Sequence, residues 1–349
     1  MEEDTPPRTP QRAPGLNAES ESIRGSADLS ISQIRQELES GSASPSWIET
    51  LEHDPRKGVG KLLEIHRRNL QRNSLEVRRM EAAYESQIQM GRRHGGAVGG
   101  VDEVGRGPLA GPVVAACVIL ADHPMILGLN DSKVLSKARR ETLDAVIRGQ
   151  ALGFGFGIVD SKRIDQINIY QAAREAMMAA VQTCRPELPR ALILDAMKLP
   201  GIPLPQLAIP KADATRACVM AASIIAKVAR DKMMEDFDRI HPGYNFSDHK
   251  GYGTAHHLDR IRELGASPIH RLTFAGPAEA DPDALANLYR TRLEGVRDGS
   301  TLNRLGQEIR RRAEALGPKR LAILRVTFRN VRDRLNQSPR GTDGPGVNL

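Results

Sequence analysis

Four acidic residues stand where apolar runs end. Asp102 and Glu103 close AVGGVDEV, Asp195 closes ALILD, and Asp213 follows LAIP where a helical stretch begins. A carboxylate just past a buried strand either caps the next helix or belongs to a site at the sheet edge. Any one of these aspartates reads most simply as a cap. Three of them with Glu103 read equally well as one shared site, because gathered carboxylates repel unless a cation compensates them. The donors are hard oxygens with no cysteine or histidine beside them in sequence, which favours Mn²⁺ or Mg²⁺ over zinc. Such a cluster suits hydrolysis of phosphodiesters, where metal lowers the pKa of the attacking water and stabilises the leaving oxygen. One geometric difficulty attaches to the pair. Neighbours on a strand point to opposite faces, so Asp102 and Glu103 share a metal through their side chains only if the strand bends there; otherwise Glu103 offers its backbone carbonyl or an outer contact.

The elements that must position these residues follow from apolar periodicity. Ala97 to Val104 and Val113 to Leu120 read as strands joined by the turn GRGPLAGP, and Ala151 to Val159 as a third. A helix through INIYQAAREAMMAAVQTC follows, then the strand ALILD, the strand LPQLAI, and a long helix AASIIAKVARDKMMEDF. Strands first, then helix and strand in alternation, predict an α/β sheet covered by helices. Ahead of it, residues 29–94 read as a helical N-terminal module rich in arginine, with Asn73 and Ser74 as a break and GRRHGGAVGG as a glycine-rich hinge. Residues 277–336 read as two or three basic helices interrupted at Gly306 and at Gly317-Pro318. Residues 1–28 and 337–349 hold too few large apolar side chains to offset the entropy of ordering, and are expected to be disordered. The sheet domain is expected over 95–276.

Composition narrows the function classes. Of 349 residues, 40% are hydrophobic and 27% charged, with no apolar run of membrane-spanning length and no secretory leader. A soluble cytoplasmic protein is expected. Cys117, Cys184 and Cys218 are widely spaced and odd in number, so they read as buried thiols. The spacing of His249, His256, His257 and His270 fits no standard zinc site and suggests a role in a loop and helix start. A net charge of +7 leans towards a polyanionic partner.

GVDEVGRGPLAGPVVAACVIL, LNDSK, IDQINI, LILDA, KADA with AASIIAKVARD, and HKGYGTAHH, in this order, resemble bacterial ribonuclease HII, a member of the ribonuclease H-like superfamily. The likeness spans roughly residues 98–276, and HDPRKGVGKLL with its flanking helices resembles the N-terminal extension of a subset of that family. The resemblance implies a ribonuclease H-like mixed β-sheet flanked by helices, with helical extensions at both ends. It implies that Asp102, Glu103, Asp195 and Asp213 hold the metal and do the catalysis. It also implies that Gly105, Arg106 and Gly107 touch the ribose 2′-OH and adjacent phosphate, a role that suits residues whose backbone can approach a sugar closely. Tyr252 would pack on the neighbouring deoxyribose, and Asn130, Ser132 and Lys133 would contact phosphate. Three departures stand out: Ala196 where relatives carry glycine, Cys218 in place of a hydroxyl, and HRLTF at residues 270–274 with one arginine fewer.

The expected activity is therefore endoribonucleolytic. RNA/DNA hybrids and duplex DNA carrying single ribonucleotides would be cut, the latter on the 5′ side, leaving 3′-OH and 5′-phosphate ends. A monomer is expected, with a replication or repair partner that the sequence does not name. Two other readings remain open: a nucleic-acid-binding protein that lost the reaction, and a superfamily nuclease with another target such as branched DNA. All four carboxylates speak against the first, and the GRG turn with Tyr252 against the second.

Overall fold

The computed structural model describes residues 28–337, so all but the inner edges of the two expected disordered ends lie outside the described residues. The chain divides into two compact units between Glu76 and Val77.

The first unit comprises α1 (Ile31–Ser40), α2 (Pro45–Glu52) and the opening turns of α3 (Lys57–His94). Ser30 caps α1 in a reciprocal capping box with Gln33, Ser44 caps α2, and Pro45 begins it, so both starts are written locally in sequence. Ile34, Leu38, Trp47, Leu51, Val59, Leu62 and Leu63 form its small core. The expected break at Asn73-Ser74 does not occur, because α3 runs unbroken through both residues. Asn and Ser cost only a fraction of a kcal/mol each inside a helix, and neither proline nor glycine stands beside them to make the cost decisive.

The second unit is built on six strands: β1 (Val98–Val104), β2 (Val113–Leu120), β3 (Ala151–Val159), β4 (Arg185–Pro186), β5 (Ala191–Asp195) and β6 (Gln206–Ile209). Their order is β4-β3-β2-β1-β5-β6, with β1 antiparallel to β2 and parallel to β5. All eight β2 residues are buried, and alternate ones belong to different cores. Val113, Ala115, Cys117 and Ile119 face α6 (Ile169–Thr183); Val114, Ala116, Val118 and Leu120 face α8 (Ala217–Ile240) and α4 (Lys137–Gln150). A strand buried on both faces in this way reads as a continuous apolar run, as VVAACVIL does. Met80, Ala83 and Tyr84 of α3 join the second core.

Several elements differ in detail from expectation. The helix expected over INIYQAAREAMMAAVQTC is α6; ahead of it α5 (Ser161–Ile167), which was not anticipated, ends at Asn168, which takes a left-handed φ of 71° and caps α6 with its side chain. α4 was not anticipated, although Ser136 caps it and Leu143 and Ile147 lie four apart on its buried face. Four short helices complete the sheet domain and its exit: α7 (Ala212–Thr215), α9 (Phe246–His249), α10 (Ala255–Leu264) and α11 (Pro277–Ala280).

The C-terminal residues fold as α12 (Pro282–Glu294), α13 (Gly299–Arg311) and α14 (Ala313–Gln337) around their own apolar core. Gly306 does not interrupt α13; a Cβ there would lie 2.7 Å from the Phe328 ring, so the glycine admits α14 at close range. Gly317 does interrupt α14, with φ of 70°.

Candidate active site

The pairing of β1 with β5 explains why their acidic ends meet. Two parallel neighbours finish at the same sheet edge, and the paired residues run to Val101 beside Leu194; the next residue of each strand is Asp102 and Asp195. Asp195 Oδ1 accepts from the Ala212 backbone N–H at 2.9 Å, which fixes the start of α7 and brings Asp213 to the same edge. Asp195 thus tethers the first residue of α7 through its side chain, although Lys211 is the residue at the helix's N-cap position. Ala196 follows with φ of 51°, a left-handed conformation that glycine adopts without cost.

Burial and mutual repulsion act together here. Burial pushes Asp102 well above the usual carboxylate range, and the charges of Glu103, Asp195 and Asp213 push the same way against a hydrogen bond from Ser223. Burial also raises Glu103 and Asp195, each with a contribution from a neighbouring acid. The β1–β2 register is regular through Glu103, so the alternation of the strand holds. Asp102 therefore shares its face with Ser223 of α8. Glu103 lies on the other, its Oε1 accepting from Arg106 Nη1 at 3.1 Å and its buried Oε2 without a partner.

Lys133 Nζ donates to Asp213 Oδ2 at 3.0 Å; burial pulls its pKa down, but the bond to Asp213 and that charge leave it raised. The hydroxyls of Ser132 and Ser223 lie 3.0 Å apart, linking LNDSK to the Asp102 side of the site. Asn130 Oδ1 accepts from the Asp131 N–H at 2.9 Å. Among the described residues no three acidic, histidine or cysteine side chains converge as a ready-made ligand set. A divalent cation nevertheless fits the donors present. They are hard oxygens whose charges raise one another, and one buried carboxylate oxygen has nothing to accept from.

The glycine turn is built by residues that the sequence reading passed over. Arg271, fully buried, makes five hydrogen bonds to four turn carbonyls: Nε and Nη2 to Gly111, Nη1 to Arg106 and Pro108, and Nη2 to Gly105, at 2.6–3.1 Å. Arg230, also fully buried, donates to the carbonyls of Pro112, Ala110 and Lys250 at 2.9–3.1 Å. Gly105 has φ of 93°, and a Cβ there would lie 2.3 Å from Arg230 Nε, so no other residue fits. Tyr252 is 44% exposed, and its ring lies 3.6 Å from where a Gly107 side chain would begin. Arg106, Gly107 and Tyr252 are therefore exposed near one another, with Arg106 bonded to Glu103, while Gly105 lies buried beneath them. The signal that could have found the clamp is weak: Arg230 interrupts the buried face of a helix, and Arg271 follows a histidine in HRLTF.

The expected histidine roles are visible in geometry. His257 enters α10 under the Thr254 cap, and its ring stacks on His249 with centroids 4.1 Å apart. Its Nε2 lies 3.0 Å from His270 Nε2. All three cysteines are buried, and burial pushes the Cys218 thiol up to about 12.

A mixed sheet with acids at the shared end of parallel strands, beside a backbone turn open to a sugar, has the form of a metal-dependent phosphodiester hydrolase. Comparison with known proteins is specific. The family Ribonuclease HII matches residues 99–276, and its N-terminal domain matches residues 30–88. Ribonuclease HII of Lactobacillus delbrueckii subsp. bulgaricus is 44% identical over 251 residues, covering 72% of this chain and 97% of the relative. Among solved structures, ribonuclease H2 from Pyrococcus horikoshii OT3 is 25% identical, with a TM-score of 0.44 over 53% of this chain and 97% of its own. A chain from the structure of the PCNA:RNase HII complex of Archaeoglobus fulgidus is 24% identical, with a TM-score of 0.41 over 50% of this chain and 94% of its own. The chain belongs to the ribonuclease HII family, on the strength of the sequence matches.

Proposed function

We infer that the protein is an endoribonuclease of the 5′-phosphomonoester-producing type. It hydrolyses the RNA strand of RNA/DNA hybrids and cuts 5′ of single ribonucleotides embedded in duplex DNA. The observation that carries the residue assignment is adjacency: four mutually repelling carboxylates stand beside a turn whose carbonyls are held by two buried arginines.

Asp102, Asp195 and Asp213 would hold Mn²⁺ or Mg²⁺, with Glu103 assisting through its unpartnered Oε2. When bound, the cation supplies an activated water and neutralises charge on the scissile phosphate. The chain's own residues do the selecting. Gly105 and Gly107 allow the backbone to reach a ribose, where N–H and C=O groups hydrogen-bond the 2′-OH that distinguishes RNA from DNA. Tyr252 offers an exposed ring beside that turn for the neighbouring deoxyribose, and Arg106 and Lys133 offer charge to phosphates. Asn130 and Ser132 would position the strand that Lys133 contacts. The basic helices α12, α13 and α14 extend the positive surface available to a duplex. No helix among the described residues is long and apolar enough to cross a membrane, in keeping with action on nucleic acid in the cytoplasm.

The test is an end-labelled duplex with one ribonucleotide beside an all-deoxy control, with Mg²⁺, Mn²⁺ or chelator, for wild type and Asp102→Asn. Cleavage 5′ of the ribonucleotide is expected with either metal, and a drop of about 1,000-fold or more in the variant. Absence of cleavage by folded wild type would favour a binding protein, and cutting of the all-deoxy duplex another nuclease.

A further inference from the structure

A cavity of about 660 Å³ lies between the sheet domain and the C-terminal helices, and none of the four carboxylates lines it. Asp165 and Phe274 line one side; Tyr289 and Arg292 of α12 and Arg304, Glu308, Arg311 and Arg312 at α13 and its C-terminus line the other. The wall formed by α12 and α13 lies past residue 276, where the family match ends.

Its charge is unbalanced. Four guanidinium groups face two carboxylates, and burial holds the Asp165 carboxyl above its usual range. Asp165 is moreover engaged elsewhere, accepting from the backbone N–H groups of Leu272 and Thr273 and from the Thr273 hydroxyl at 2.5–2.9 Å. Arg292 Nη2 pairs with Glu308 at 2.8 Å, but its Nη1 is buried with no partner. Tyr289 is 2% exposed, burial pushes its hydroxyl up to about 12, and among the described residues that hydroxyl has no hydrogen bond. A buried donor left unmade costs roughly 1–3 kcal/mol, so a cavity carrying one such donor, Arg292 Nη1, with an unbonded tyrosine hydroxyl and excess positive charge is short of an anionic acceptor.

We propose that this cavity is a phosphate-binding site. Guanidinium forks match phosphate oxygens in pairs, and Arg304 and Arg311 are both exposed at the cavity. The volume falls within the range of small-molecule sites, about 300–1,000 Å³, and exceeds one phosphate, so a sugar and base can enter with it. The phosphate comes from a nucleic-acid strand or from a free nucleotide, both of which present the same oxygens. Only the first source rests on the nuclease reading. In either case the site adjoins the turn clamp, since Phe274, on its wall, packs under the Arg271 guanidinium at 5.1 Å.

The test uses full-length protein without divalent metal, titrated calorimetrically with inorganic phosphate and with adenosine monophosphate at constant ionic strength. Wild type and Arg304→Gln/Arg311→Gln are compared, circular dichroism confirming that both are folded. Binding by wild type with at least tenfold loss in the variant is expected. Equal binding in the two proteins, or none in wild type, overturns the proposal. The second arm measures KM on a ribonucleotide-containing duplex. A KM raised at least threefold in the variant assigns the phosphate to the strand; an unchanged KM with lost AMP binding assigns it to a free nucleotide. Because the first arm needs no turnover, failure of the nuclease reading leaves its outcome readable.

Discussion

At the scale of single residues, the contrast between Arg271 and the carboxylates is instructive. The carboxylates could be named as candidates because four of them stand at the ends of apolar runs, in motifs that resemble those of the family. Arg271 could not, because its partners are backbone carbonyls about 160 residues away in sequence, and carbonyls leave no mark in a residue string. Burial and the charge of Arg230 push Arg271 down to about 9, still protonated at neutral pH. A buried cation without an ion-paired acid is tolerated only because its donors meet carbonyls on every side. Arg271→Lys replaces a planar fork by a single ammonium and strands several of those carbonyls. We expect stability to fall by about 3 kcal/mol. At a temperature where circular dichroism shows the variant folded, kcat on a single-ribonucleotide duplex should fall about 100-fold, since a turn displaced by about 1 Å misaligns the sugar. Wild-type kcat in folded Arg271→Lys would mean that the turn holds its shape without the clamp.

At the scale of elements, the loop that presents Tyr252 depends on a relay of neutral imidazoles. The Ser267 N–H donates to His270 Nδ1 at 2.8 Å, which leaves the His270 Nε2–H to donate to His257 Nε2 and the His257 Nδ1–H to donate to the Tyr252 carbonyl at 2.9 Å. Burial pushes His257 down to about 4, and burial with the charge of His257 pushes His270 down to about 3. Both values lie below that of an unfolded histidine, about 6.5. The unfolded chain therefore binds more protons between those limits, so stability is full above about pH 6.5 and is lost as pH falls. With partial solvent screening, wild type should lose about 2 kcal/mol from these two groups by about pH 5. The raised carboxylates of the site pull in the opposite sense, since they bind protons more tightly in the folded state than in the unfolded one. Urea unfolding of wild type and His270→Asn across this range separates the two effects: the variant should lose less on the acid side, and parallel curves would exonerate the histidines. The long apolar periods of α6 and α8 were readable from sequence; the caps at Ser30, Ser44, Ser136 and Asn168 are single polar residues whose side-chain bonds show only in the folded chain.

At the scale of the whole molecule, the departures from the family become coherent. HRLTF keeps Arg271 for the clamp, and the residue after it, Leu272, packs against the apolar core of the C-terminal helices. An apolar side chain at that position fits a chain that continues into α12, α13 and α14. Neither this packing nor the shape of the C-terminal core could be read in advance, because only the helical period of the sequence there was informative. The first unit offers a different kind of test. Its core holds seven buried apolar residues, against nineteen and eighteen in the two clusters on either side of the sheet. A core of that size stabilises a fold only marginally. Trp47, the single tryptophan of the chain, is one of the seven, so its emission reports on the first unit alone. In urea, the Trp47 fluorescence transition should precede the loss of far-ultraviolet circular dichroism by about 1 M or more, as expected where a local unit opens below the global free energy. Ser44→Ala, which removes the cap of α2, should move the fluorescence midpoint down by an amount equivalent to about 1 kcal/mol while leaving the second transition in place. Coincident transitions in both proteins would instead show that α3, one continuous helix from Lys57 to His94, makes the two units unfold as one.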